Sequence, residues 1–97
     1  MYARVTSIRF SAGMRAEVVG VAEGLRPILR QQRGFNGLQV LTDPSSGEGI
    51  IIIIFWETQA DAEAAETTAS YIGQISMMSS FLYGQMVPKT YEVDARV

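Results

Sequence analysis

Gly49-Ile50-Ile51-Ile52-Ile53-Ile54-Phe55-Trp56-Glu57 is the stretch that decides the fold. Five β-branched isoleucines and two aromatics in a row favour an extended strand, and a run with no polar alternation has no face suited to water. The run predicts a central strand covered on both sides. Upstream, Leu38, Val40 and Thr42 alternate with Gln39, Leu41 and Asp43 as a second strand, joined to the isoleucine strand through the turn Asp43-Pro44-Ser45-Ser46-Gly47. Downstream, Thr58 stands three residues before Asp61, a capping-box spacing with Asp in place of Glu or Gln, and predicts a helix from Gln59 to Glu66. Thr67 to Ser70 is a polar interval that predicts a break. Beyond it Tyr71, Ile75, Met78 and Leu82 share one helical face, which Gly84 and Pro88 close.

The flanks complete the pattern. Tyr2 to Phe10 alternates as a first strand, with Arg4 and Arg9 on opposite faces, so that one arginine points inward, either to hold an anionic oxygen or to pair a carboxylate. From Met14 to Leu29 apolar residues recur at spacings of three and four, which predicts a helix kinked near Glu23 by Pro27 and stopped by Gly34, with Gly20 and Gly24 as a small-residue stripe. Tyr91, Val93, Ala95 and Val97 alternate as a half-exposed final strand. The order β-α-β-β-α-β is the split βαβ unit of an α+β, ferredoxin-like domain: two helices on one face of a four-stranded antiparallel sheet, with the first and third strands central.

That architecture leaves a face unpaired. Helices cover one side only, so either Ile50, Ile52, Ile54 and Trp56 or Ile51, Ile53 and Phe55 would meet water. Each large side chain left out forgoes roughly 1.5–3 kcal/mol of burial, which calls for a partner, most simply a second copy of the chain.

Composition narrows the chemistry. The chain has 97 residues, 47% of them hydrophobic, which suits one domain over 1–97, and a domain of this size buries only about 60–65% of its unfolded surface. With no cysteine and no histidine, disulfides, thiolate or imidazole metal sites and Ser-His-Asp or Cys-His nucleophiles are excluded. No metal site is expected. A net charge of −2 with Lys89 as the single lysine provides no cationic footprint for nucleic acid. The longest apolar run is too short to span a bilayer, for which about 20 residues are needed, and the N-terminus lacks an export signature, so the expectation is a soluble cytoplasmic protein with no membrane partner.

Gly34-Phe35-Asn36-Gly37 entering the second strand, the Asp43-Pro44 hairpin, and a third strand ending Phe55-Trp56-Glu57-Thr58 before an acidic, Ala-rich helix resemble the antibiotic biosynthesis monooxygenase family over roughly Ala3 to Val93. The resemblance implies a dimeric α+β barrel in which two sheets pack face to face. It also implies an activity, a cofactor-independent monooxygenase of a small phenolic or quinol-like substrate, with no cofactor. Haem-degrading members pair the strand-end tryptophan with a histidine and a first-strand asparagine; this chain has neither, and haem degradation is set aside.

The resemblance points Trp56 into a cavity on the helix side and leaves Ile51, Ile53 and Phe55 for the dimer interface, while the Met- and aromatic-rich cluster after the break offers Tyr71, Met78 and Phe81 as further pocket candidates. Core filling is the competing role for Trp56 and for the Tyr71-Met78 stripe. No residue identifies itself as the catalytic base. The alternative function is a non-catalytic dimeric module that binds a small apolar or aromatic molecule or stabilises an assembly.

Overall fold

The computed structural model describes residues 1–95. Its strands are β1 (Tyr2–Arg9), β2 (Phe35–Thr42), β3 (Gly49–Trp56) and β4 (Pro88–Glu92). The helices are α1 (Arg15–Glu23), α2 (Leu25–Leu29), α3 (Gln59–Glu66) and α4 (Ala69–Ser76), followed by a 3₁₀ turn at Ser79–Phe81. The four strands form one antiparallel sheet in the order β2-β3-β1-β4, so β1 and β3 are central as the isoleucine run requires.

Register sorts the side chains into two faces. Tyr2, Arg4, Thr6 and Ile8 lie opposite Trp56, Ile54, Ile52 and Ile50, and this set faces the helices. Ile50, Ile52, Ile54 and Trp56 are all buried there, packed with Val18, Ala22, Leu25 and Leu29 from the first helical pair and Ala62 and Ala65 from α3. Burial of each large aliphatic contributes roughly 1.5–3 kcal/mol. On the opposite face Val5, Ile51, Ile53 and Phe55 form an apolar band, with Leu41 46% and Ile51 39% exposed.

The expected kinked helix is two helices meeting at Gly24. A Cβ on Gly24 would run into the Gln74 side chain, whose Nε2 donates to the Val21 carbonyl at 2.9 Å. Pro27 in α2 has no N–H to give the Glu23 carbonyl four residues back, so the break falls beside the expected Glu23, and Gly24 at the break admits the close approach of α4. The helix also stops earlier than Gly34: α2 ends at Leu29, and Gly34, at φ +80 with Asp61 against its backbone, makes the turn into β2.

The expected break after α3 is present, and each helix has its own N-cap: the Thr58 hydroxyl accepts from Asp61 N–H at 3.1 Å at the start of α3, and the Thr68 hydroxyl from Tyr71 N–H at 3.3 Å at the start of α4. The helix after the break stops at Ser76, so Met78 and Leu82 of the expected stripe lie beyond it. The final strand is shorter and earlier than expected. It ends at Glu92, and Arg96 and Val97 lie outside the described residues.

Candidate functional site

Strand alternation turns Arg4 toward the helices, directly opposite Thr90 of β4 and Ile54 of β3. An arginine there needs an acid, and Glu66, the last residue of α3, supplies it. Arg4 Nε donates to Glu66 Oε2 at 2.8 Å, Nη2 to Oε1 at 2.9 Å, and Nη1 to the Thr90 hydroxyl at 2.7 Å. This fork joins β1, β4 and α3. The hydrogen bond to Glu66, against the opposing effect of burial, raises the Arg4 guanidinium above its ordinary pKa. The carboxylate, with about four lone-pair sites, keeps acceptor capacity beyond the two bonds that Arg4 occupies.

Beside this pair a cavity of about 240 Å³ opens between the β1–β4 edge and α4. Thr6, Glu66, Tyr71, Ile75, Met86 and Pro88 line it. Three of the six are polar, and they converge. Thr68 caps α4 so that Tyr71 falls in its first turn, over the sheet. Burial first, then the charge of Glu66, partly offset by Arg4, push the Tyr71 phenol up to about 12. At neutral pH Tyr71 is therefore a hydrogen-bond donor and not a base. Neither its hydroxyl nor that of Thr6 bonds another side chain or backbone group among the described residues. Apolar walls with a few converging polar groups are the usual form of a small-molecule site.

Of the four pocket candidates, Tyr71 alone lines this cavity. Trp56 is 1% exposed on the helix side, edge-on to Phe35 at 5.9 Å, and Met78 is fully buried; neither lines any of the cavities described. The Trp56 indole N–H has no hydrogen-bond partner among the described residues. Phe81 lies elsewhere, on a shallow groove between α1 and α4 with Gly20, Val21 and Met77. So the four do not form one pocket, because the chain after Ser76 turns away from the helical face that would have aligned them. Ile51, Ile53 and Phe55 share the open face, and a third cavity lies at its hairpin end between Arg9, Asp43 and Ile51.

Glu66 does not stand out in the sequence, although a signal exists. Glu66 follows Ala62 by four residues on the buried side of α3, the place from which an acid can meet the inward Arg4. Among the described residues no group of three or more His, Cys, Asp or Glu side chains is arranged to hold a metal ion, and no helix is long and apolar enough to cross a membrane.

Comparison with known proteins agrees with the fold. The family model described as antibiotic biosynthesis monooxygenase matches residues 1–72. No curated protein matches the chain in sequence. Among solved structures, a Nitrosomonas europaea protein proposed to be an antibiotic biosynthesis monooxygenase superposes with a TM-score of 0.85 at 12% identity, covering 96% of this chain and 89% of its own. A Bordetella bronchiseptica protein with the same proposed activity gives 0.84 at 14%, covering 97% of each chain. SnoaB from Streptomyces nogalater, a cofactor-independent oxygenase, gives 0.82 at 11%, covering 99% of this chain and 96% of its own. At such identities these superpositions establish the shared ferredoxin-like fold.

Proposed function

The chain belongs to the antibiotic biosynthesis monooxygenase family, and from that premise we propose that it is a homodimeric oxygenase that uses no cofactor and acts on a small phenolic or quinol-like aromatic. The observation that carries this reading is the cavity in which Glu66, Thr6 and Tyr71 converge between apolar walls. A void of ~150 Å³ takes benzene, so about 240 Å³ suits one or two rings.

Oxygenation without a cofactor requires the substrate to give an electron to dioxygen and a proton to a base. Glu66 is the carboxylate on the wall. Proton transfer from a resting phenol to a glutamate is uphill by about six pKa units, so the proton moves as the electron leaves, when the oxidised phenol becomes a far stronger acid. The radical and superoxide then join at a ring carbon bearing hydrogen, Glu66 returns the proton to the peroxide oxygen, and loss of water leaves a quinone. One phenol and one dioxygen give one quinone and one water.

In this reading a second copy covers the open face, with Ile51, Ile53 and Phe55 at the interface as two sheets pack face to face. Exposed Leu41 and Ile51 support that cover, since a lone domain gains nothing by presenting them to water. Dioxygen uptake with a panel of dihydroxynaphthalenes and hydroquinones, with no added metal, haem or flavin, tests the activity. Uptake with quinone formation is expected. The bidentate Arg4–Glu66 pair favours one alternative, a dimeric binding module whose carboxylate is structural; saturable aromatic binding with no uptake would select it.

A further inference from the structure

The charge arrangement around the cavity bears on which aromatics enter. Glu66 lines the cavity and Arg4 does not; the guanidinium is committed to Glu66 and Thr90. The charged group facing a ligand is therefore an acceptor-only carboxylate, flanked by two hydroxyls that have no other side-chain or backbone partner among the described residues. Ile75, Met86 and Pro88 supply the apolar remainder.

Resting on the cavity being the ligand site, we propose that Glu66 makes it selective for uncharged hydroxyaromatics and turns away carboxylated ones: a ligand hydroxyl donates to Glu66, and its oxygen accepts from Tyr71 or Thr6. A carboxylated ring would bring a second negative charge up to Glu66 in a half-buried site, and Arg4 does not cancel that cost, since at Tyr71 the charge of Glu66 outweighs that of Arg4. Tyr71 is itself a phenol standing in this cavity, and its proton is held more firmly there than in water. The same surroundings hold a ligand phenol neutral until its electron is lost.

The test compares two ligands of matched shape, 4-hydroxybenzyl alcohol and 4-hydroxybenzoate, titrated into the full chain at neutral pH and followed by amide nuclear magnetic resonance shifts at Thr6, Tyr71 and Ile75. The alcohol should bind at least about tenfold more tightly. Glu66→Gln should remove most of that discrimination, and so should Arg4→Gln/Glu66→Gln, which removes both charges and guards against an unpaired arginine upsetting the fold. Equal affinities, or a preference for the carboxylate, with shifts at those three amides would overturn the role of Glu66 while leaving the cavity as the ligand site. If neither compound moves those amides at millimolar concentration, both the selectivity and the site are refuted.

Discussion

Glu66 grips Arg4 through both carboxylate oxygens, at 2.8 and 2.9 Å, and so fixes the end of α3 to the middle of β1. The side chains are 19% and 24% exposed, which places the pair between a surface ion pair and a buried one. Glu66→Ala strands a partly buried guanidinium and should cost about 1–3 kcal/mol in urea unfolding. Arg4→Met together with Glu66→Leu should cost less than the sum of the single changes. Strict additivity would mean that the two side chains do not act as a pair.

Tyr71 links the site to pH. Its folded pKa of about 12 stands above the ordinary 10.0, so the folded state holds this proton more tightly than the unfolded chain. The associated stability is fully present below pH 10 and is lost as pH rises toward about 12. Urea midpoints measured across that window should fall more steeply for the native chain than for Tyr71→Phe. Parallel curves would show that the phenol is not desolvated in this way.

Two glycines on the same side of the molecule separate close packing from mere tolerance. Gly24→Ala must displace Gln74 and its bond to Val21, and should cost about 1–3 kcal/mol. Gly20→Ala, in α1 with nothing within 4 Å of the new methyl, should stabilise by up to about 1 kcal/mol. Thermal unfolding of the two variants should move in opposite directions.

The open face is tested by Ile51→Asp. Light scattering at micromolar concentration should give twice the chain mass for the native protein and the monomer mass for the variant, which should still fold because position 51 is 39% exposed in the single chain. A native monomer would contradict the dimer.

Alternation made the two faces of β1 and β3 legible in advance, since a period of two assigns every side chain once a single one is placed, and Arg4 was read as one of two inward candidates. The break after α3 was legible from Thr67 and Thr68, which bond back to the carbonyls of Ala64 and Ala65 and end that helix. The convergence of Thr6, Glu66 and Tyr71 was not legible. It depends on how α4 sits against the β1–β4 edge, and α4 is held by tertiary contacts such as Gln74 reaching across to Val21 of α1, 53 residues away in the chain. The same distance dependence sends Phe81 to a groove of its own while Met78 is buried in the core.

A crystal structure with a hydroxyaromatic from the uptake panel bound decides whether the Glu66 cavity is the ligand site, because it shows where the ring sits. The ring is expected between Ile75 and Met86, with a hydroxyl oxygen within about 2.5–3.0 Å of a Glu66 carboxylate oxygen. A ring seated instead in the α1–α4 groove beside Phe81, or at the hairpin end beside Arg9, with the cavity at Glu66 filled by water alone, would contradict it.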